Sequence, residues 1–171
     1  MANLVFNVAR GRVRQYYDAV FTSATTTQAG IISTVNSALV VVLLENTGLE
    51  ADATLVDHDN LSVLLAGSSN EATGGNYARK VLDQSVLVAS AETDATNVLD
   101  LDIPDQVWVG LTIGTPVNGI GKLLICYDND STVGPADASI IPLTCHDFVV
   151  SPDGTDVTAQ IAPTGFYRSQ T

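Results

Sequence analysis

The residues whose types and spacing come closest to a catalytic group are Cys145, His146 and Asp147, which carry a thiol, an imidazole and a carboxylate in direct succession. A cysteine nucleophile needs its base beside it in space. Neighbouring side chains on a β-strand point to opposite faces, so the strand itself would separate Cys145 from His146. We therefore interpret His146 as a histidine that bonds to its neighbours, and we interpret His58, between two aspartates, in the same way.

Three further motifs fail at defining positions. The segment 119–122, GIGK, is similar to a phosphate-binding loop, but Leu123 stands where a hydroxyl is required and Leu124 breaks the GxGxxG spacing. The aspartates of 128–132 open like a calcium loop, but the glycine falls one residue late, at Gly134, and no glutamate follows at the twelfth position. No serine lies in a GxSxG elbow. The sequence predicts no enzyme, no cofactor and no metal site, although weak calcium binding by an Asp-rich turn stays an alternative.

Cys126 and Cys145 are the only cysteines in the sequence, too few for a disulfide-based scaffold. We predict two buried, reduced thiols that pack as small apolar side chains. The alternative is a disulfide, if the segments that carry them pair. No CxxC motif is present, and a zinc site would need more ligands than these cysteines and the two histidines readily supply.

The charge balance excludes several classes of protein. Seven basic residues stand against 19 acidic ones, which gives a net charge of −12 and a pI near 4.1. Phosphate binding depends on clustered Lys and Arg, so we predict no direct nucleic-acid partner.

The longest apolar run, 38–44, has seven residues, whereas a membrane-spanning helix needs about 20. The first residues lack a basic region followed by an apolar core, so we expect neither a secretory signal nor a membrane contact.

The surface is predicted to be poor in charge. Charged residues make up 15% of the chain, against about 25% in an ordinary soluble domain, while 30 residues are Ser or Thr. One interpretation is that another subunit covers part of the surface. The other is a small domain whose outer face consists of Ser, Thr and Asn.

The N-terminal segment combines a helical pattern with basic charge. Apolar residues recur at a 3.6-residue spacing over 7–21 and predict a helix. Three of the seven basic residues lie there, so this helix could dock on the acidic surface of a neighbouring copy or of another protein; a solvated helix face is the alternative. The candidate partner-binding residues of this segment are Arg10, Arg12, Arg14, Tyr16 and Tyr17. The region 22–37, rich in Thr, Ser, Ala and Gly, is typical of a connector or an extended insertion.

A central strand and a second helix are predicted next. The run 38–44, ALVVVLL, lacks alternation, which indicates a strand buried on both faces. Leucine spacing over 51–66 predicts a helix, with Asp57 or Asp59 as a cap of its second half and Gly67 at its end.

From residue 77 onward the sequence predicts strands only. Short runs rich in β-branched residues alternate with turn residues at intervals of roughly ten residues, as in antiparallel sandwiches and barrels. The sequence PDG at 152–154 predicts a hairpin turn. We expect a mainly β (α+β) fold, an antiparallel β-sandwich or barrel over 38–171, with an N-terminal helix and extended arm over 1–37 and one further short helix. The predicted strands are 77–82, 86–89, 98–103, 108–113, 122–127, 139–143, 145–150 and 156–161.

The C-terminal residues form a second candidate contact. Phe166, Tyr167 and Arg168 place two aromatic rings and a cation after Gly165. This composition suits a contact between subunits. The same composition is explained equally well if the C-terminal segment packs onto the sheet of its own chain.

A set of segments spread over the chain carries a similarity to known proteins. They are the opening MANLVFNVARGRV, the block from NSALVVVLLENTG to GGNYARKVL, DIPDQVW, GKLLICYDND, IIPLTCHDFVVSPDGTDVTAQI and the ending GFYRS. These segments resemble a family of small virion proteins of tailed bacteriophages. The resemblance covers most of the chain except 22–36. It implies a non-enzymatic component of the phage particle with no catalytic residues.

Within such a particle we expect a capsid decoration (cement) protein that stabilises the head lattice through many weak subunit contacts. The expected partners are the major capsid protein or other virion proteins, and copies of the chain itself in a closed trimer or dimer. The expected location is the virion, assembled in the cytoplasm of the bacterial host. One alternative is a tail component (a tube, terminator or fibre-associated subunit), for which 86–113 would supply a long hairpin. Another is a carbohydrate-binding host-attachment module, which requires an exposed aromatic cluster.

Overall fold

The long apolar run and the short strands after it form antiparallel sheets, and the fold is mainly β, as the sequence predicts. The computed structural model describes residues 3–28, 30–93, 95–112, 119–132 and 136–170. The helices are α1 (Val13–Thr22), α2 (Asp52–Leu55) and α3 (Leu61–Ala66). The strands are β1 (Asn3–Val5), β2 (Thr26–Gln28), β3 (Ile31–Ser33), β4 (Ala38–Glu45), β5 (Lys80–Leu82), β6 (Ala91–Thr93), β7 (Val98–Leu101), β8 (Gln106–Trp108), β9 (Ile120–Asp128), β10 (Ile141–Val150), β11 (Val157–Ala159) and β12 (Tyr167–Gln170).

Five strands form a central sheet in the order β1-β10-β9-β4-β5, with every neighbouring pair antiparallel. The first seven residues of β4 are all buried, and so are all nine residues of β9. The prediction of a strand buried on both faces over 38–44 is therefore confirmed.

The two faces of this sheet pack against different elements. On the first face, Leu39, Val41 and Leu43 share an apolar cluster with the buried side of α1 and with inward residues of the smaller sheets, such as Trp108 and Val157. On the second face, the intervening residues of β4 pack against the leucines of α2 and α3. The first face thus has helix and sheet above it, and the second has helices only. A fully buried Val or Leu contributes about 1.5–3 kcal/mol, so these two clusters hold the layers together.

Both predicted helices are interrupted. The segment 7–21 begins with a short 3-10 turn, Asn7–Ala9, and α1 starts only after Gly11, which has a left-handed backbone (φ +74°). The segment 51–66 divides into α2 and α3. The cap of α3 is Asn60, whose side chain accepts a hydrogen bond from the Val63 N–H, so the prediction of Asp57 or Asp59 is wrong. Gly67 ends α3, as predicted.

The first 37 residues share the core of the remaining chain. Strand β1 pairs with β10 as an edge of the central sheet, and the apolar residues of α1 lie in the first cluster. The predicted connector 22–37 contains a hairpin of β2 and β3. The boundary between 1–37 and 38–171 stays a prediction, but the described part of 1–37 packs against the body instead of extending from it.

Three small sheets complete the fold: β2-β3, β8-β11 and a three-stranded sheet in the order β12-β7-β6, which we call the C-terminal sheet. The predicted hairpin at 152–154 is wrong, because β10 and β11 belong to different sheets. The strands expected over 139–143 and 145–150 are one strand, β10. The strand expected over 86–89 is not formed, since a 3-10 turn, Gln84–Val86, leads into irregular chain. Ile113, the expected end of another strand, lies outside the described residues.

Candidate functional site

The three arginines predicted to bind a partner lie at the start of α1 in different environments. Arg10 is exposed. The guanidinium carbon of Arg12 lies 5.4 Å from the ring centroid of Tyr16. Arg14 forms ion pairs with Asp18, one turn along α1 (3.2 Å), and with Glu92 of β6. Arg14 therefore joins the helix to the C-terminal sheet.

Three of the predicted contact residues belong to the core. Tyr16 and Phe166 are each 3% exposed and Tyr17 is fully buried. The Tyr17 hydroxyl donates to the carbonyl oxygens of Val88 and Asp102, each 2.7 Å away, and burial raises the pKa of Tyr17 to about 12. The amphipathic spacing in the sequence could not show whether these aromatic side chains face a partner or the core of their own chain. All three aromatic side chains therefore lie in the core of the chain, and their role in binding a partner stays a prediction.

The remaining C-terminal candidates lie on β12. Tyr167 is half-buried. The Arg168 guanidinium donates to both carboxylate oxygens of Asp100 on β7 (2.6 and 2.7 Å), and this pairing lowers the pKa of Asp100. The Tyr17 and Phe166 ring centroids are 6.1 Å apart. The two predicted groups therefore meet in the core, while Arg14 and Arg168 each pair with an acidic residue of the C-terminal sheet, Glu92 of β6 and Asp100 of β7.

The succession Cys145, His146, Asp147 is divided between the two faces of the central sheet, as predicted. Cys145 packs in the second apolar cluster, with Cys126 and the leucines of α3. His146 lines a cleft on the first face, next to Leu123. Both cysteines are free and buried, which confirms the prediction of reduced thiols. Burial raises the pKa of Cys145 to about 12 and also raises that of Cys126, so neither thiol is a ready nucleophile.

The cleft beside His146 has a volume of about 420 Å³ and lies between the central sheet and residues 159–166. Its walls are mainly apolar and include Ile125, Phe148 and Phe166. His146 Nε2 lies 2.9 Å from Thr144 Oγ1, and burial lowers the pKa of the imidazole to about 4. The histidine is therefore neutral at pH 7 and serves as a polar group in an apolar wall.

A polar cluster that the sequence analysis missed joins the elements around α3. His58 Nε2 donates to Glu50 Oε2 (2.8 Å), and the Ser69 hydroxyl donates to the same oxygen (3.2 Å). Burial alone would raise the pKa of Glu50, but these two hydrogen bonds lower it. The carboxylate stands between the hydroxyl and the imidazole, which is the wrong order for a base that activates a serine. The cluster ties together the chain before α2, the turn after α2 and the chain after α3.

Two basic side chains hold further segments together. Arg79 donates to both oxygens of Glu71 (2.8 and 2.6 Å) and to Asp137 (2.6 Å). Lys122 lies between Asp52 (2.8 Å) and Asp147 (2.6 Å). Burial alone would lower the pKa of Lys122, but the hydrogen bonds to Asp147 and Asp52 raise it. These partners lie 8 to 70 positions apart in the sequence, so no local pattern could have predicted them.

The Asp-rich turn uses its carboxylates locally. Asp128 accepts a hydrogen bond from the Asp130 N–H, and Asp130 accepts from the N–H and hydroxyl of Thr132. Gly134, on which the comparison with a calcium loop depended, lies outside the described residues. Within the described ranges, no three His, Cys, Asp or Glu side chains are grouped to hold a metal ion.

Two further findings complete the description. No helix among the described residues is long and apolar enough to cross a membrane. Comparison with protein-family models, curated proteins and solved structures gives no match to this chain.

Proposed function

We propose that this protein is a structural component of a tailed-phage virion, a capsid decoration protein that stabilises the head lattice through subunit contacts. The resemblance of the sequence to small tailed-phage virion proteins supports the particle role, and the structural observation that supports subunit contacts is a set of nine exposed, large apolar side chains among the described residues, all valine or isoleucine. Single exposed apolar residues are ordinary, but here they accompany a chain with only 15% charged residues. The nine are Ile32, Val35, Val63, Val81, Val86, Val88, Val107, Val109 and Val149.

Two of these valines lie on the outward side of the β8-β11 sheet. Val107 stands opposite Thr158 of β11 and is 39% exposed, and Val109, just beyond β8, is 67% exposed. The inward residue between them, Trp108, fills the core. This side therefore presents a short apolar ridge that a neighbouring subunit can cover. Burial of one valine contributes about 1.5 kcal/mol, and a repeated lattice multiplies such weak contacts through effective concentration.

The distribution of charge supports a protein partner. Four of the seven basic residues, Arg14, Arg79, Lys122 and Arg168, form ion pairs with acidic groups of the same chain. The remaining surface carries most of the net charge of −12. Such a surface repels the phosphates of nucleic acid and favours a basic or neutral protein surface.

The features required by the two alternatives are weak in the described residues. The tail alternative expected a long hairpin within 86–113, but β6 and β7 form a short hairpin and β8 pairs with β11. The carbohydrate alternative expected an exposed aromatic cluster, but all ten aromatic side chains are buried or half-buried. We therefore keep the decoration role as the proposal.

Fractionation of virions tests the location. Heads and tails are separated from purified particles of the phage that encodes the chain, and the chain is quantified in each fraction by mass spectrometry. We expect it in the head fraction at a fixed ratio to the major capsid protein. Recovery in the tail fraction alone would favour a tail component, and absence from intact particles would overturn the virion role altogether.

A further inference from the structure

We propose that the outward side of the β8-β11 sheet is the surface with which this chain docks on the phage head, and that its partner there is a basic protein surface and not a second copy of the chain. The inference deepens the proposed function and rests on it. Three features of this side support it: every residue is exposed, the centre is apolar, and the charges at its ends are negative and form no ion pair.

The two sides of the β8-β11 sheet differ in burial. Each strand follows the pattern buried, exposed, buried, so one side faces the core and the other faces outward. Val107 and Thr158 are the exposed Cα partners at the centre. Because side chains alternate between the faces of a strand, Asp105 and Val109 share the outward side with Val107.

The outward side extends past the paired residues. The register of Val107 with Thr158, continued by two positions each way, places Asp105 opposite Gln160 and Val109 opposite Asp156. All of these residues are exposed, so no described part of the chain covers this side. We call its six residues the ridge: Asp105, Val107, Val109, Asp156, Thr158 and Gln160.

The centre of the ridge is apolar and firmly supported. Val107 and Val109 project outward, and Thr158 adds a methyl group beside them. Trp108, between the two valines, is buried in the core, and its indole N–H donates to the Ala78 carbonyl oxygen (2.9 Å). A surface that is already ordered loses little conformational entropy when a partner covers it.

The two ends of the ridge carry negative charge. Asp105 Oδ1 accepts a hydrogen bond from the Ile161 N–H (2.8 Å), and Asp156 Oδ1 accepts one from the Gly110 N–H (2.9 Å). Both donors are neutral, and neither carboxylate forms an ion pair within the described ranges. A cation of a partner can therefore pair with each carboxylate.

The chain offers no positive charge of its own to this side. Neither 81–121 nor 123–167, the segments that contain β8 and β11, includes a Lys or Arg. The Lys80 ammonium lies 5.4 Å from the ring centroid of Trp108, whose side chain points inward. Two ridges packed together would bring carboxylates against carboxylates, which opposes a contact between copies through this side.

The partner that fits the ridge presents an apolar strip with Lys or Arg at both ends. Covering the valines supplies affinity, since apolar surface leaves water. The opposite charges at the ends orient the encounter and exclude acidic surfaces. A basic patch repeated over the head lattice meets both requirements.

Two pairs of matched variants test the ridge by co-sedimentation with heads that lack the chain. Val107→Thr with Val109→Thr makes the centre polar while keeping β-branched side chains. Its control, Val81→Thr with Val149→Thr, changes two equally exposed classes of valine elsewhere.

The second pair of variants tests the charges. Asp105→Asn with Asp156→Asn removes two charges but keeps the oxygens that accept the two backbone hydrogen bonds. Its control, Asp57→Asn with Asp59→Asn, removes two exposed charges between α2 and α3, on the other face of the central sheet. Denaturant unfolding shows that every variant is folded.

We expect the valine variant to bind heads about tenfold more weakly than the wild type and the aspartate variant about fivefold more weakly, while both controls bind as the wild type does. Binding of the wild type should also weaken as the salt concentration rises, and the aspartate variant should lose most of this dependence.

Ridge variants that bind as tightly as their controls, while the wild type binds heads, would overturn the ridge as the docking surface and leave the decoration role intact. Tighter binding by the aspartate variant would show that the partner is not basic. Loss of self-association in the ridge variants, with head binding unchanged, would assign the ridge to a second copy instead. A wild type that fails to bind heads would contradict both the inference and the proposed function.

Discussion

At the scale of single residues, Gly165 and Gly11 have the same left-handed backbone (φ +74°) in different surroundings. A Cβ atom at position 165 would overlap the Leu101 carbonyl oxygen, whereas none of the surrounding heavy atoms lies within 4 Å of one at position 11. We predict that Gly165→Ala lowers the free energy of unfolding by about 3 kcal/mol and Gly11→Ala by about 1 kcal/mol. Denaturant unfolding measures both variants, and equal losses would contradict the close packing of Gly165 on β7.

His146 gives the protein a defined dependence on pH. Burial lowers the pKa of its imidazole from 6.5 to about 4. The unfolded chain therefore takes up a proton as the pH falls below 6.5, whereas the folded chain does so only near 4. Stability is complete above pH 6.5, decreases as the pH falls, and levels off below the folded pKa.

We predict that His146→Gln removes this part of the pH dependence, since glutamine does not titrate. The contribution lost by the wild type across the window is on the order of 3 kcal/mol. Denaturant unfolding at about pH 7.5 and about pH 4.5 measures it in both proteins. Equal losses in the two proteins would show that His146 is not held neutral by burial.

At the scale of elements, the sequence predicted what depends on local pattern. The unbroken apolar run of β4 implied burial on both faces, and its seven buried residues confirm it. The helix 51–66 was predicted from its leucines, but the pattern could not place the break between α2 and α3. There the backbone of Asn60 is extended (φ −152°) and its side chain caps α3.

The cap of α3 provides a test at this scale. The helix has six residues, so one satisfied N–H at its start matters to its stability. We predict that Asn60→Ala lowers the free energy of unfolding by about 1 kcal/mol, whereas Asn60→Ser, which keeps a capping oxygen, loses only a few tenths. Denaturant unfolding measures both. A loss for serine as large as that for alanine would mean that the amide acts through another contact.

Local sequence patterns could not predict which distant strands pair with each other. The turn PDG at 152–154 has hairpin chemistry, but β10 is already paired with β1 and β9, and β11 pairs with β8. Strand β12 is short and polar, and its register follows from contact with β7, which no local pattern contains. The same reason explains why the sequence could not place Tyr16 and Tyr17. Their spacing indicated an apolar helix face, but it could not show that the core of the chain covers both side chains.

At the scale of the whole molecule, the described polar clusters connect segments of the fold. Arg79 joins two acidic side chains, and so does Lys122. His58 and Ser69 share one carboxylate. The side chains that could take part in chemistry are thus engaged in stabilising contacts. Aliphatic side chains such as Val149, which is 82% exposed, face outward. This distribution supports a protein whose surface is completed by neighbouring subunits.

Co-sedimentation of the purified chain with phage heads that lack it tests the proposed decoration role. Heads are prepared from a phage in which the encoding gene is deleted, and the amount of pelleted chain is measured as its concentration rises. We expect saturable binding at a fixed ratio to the major capsid protein. A chain that stays in the supernatant at every concentration, while the heads remain intact, would contradict it.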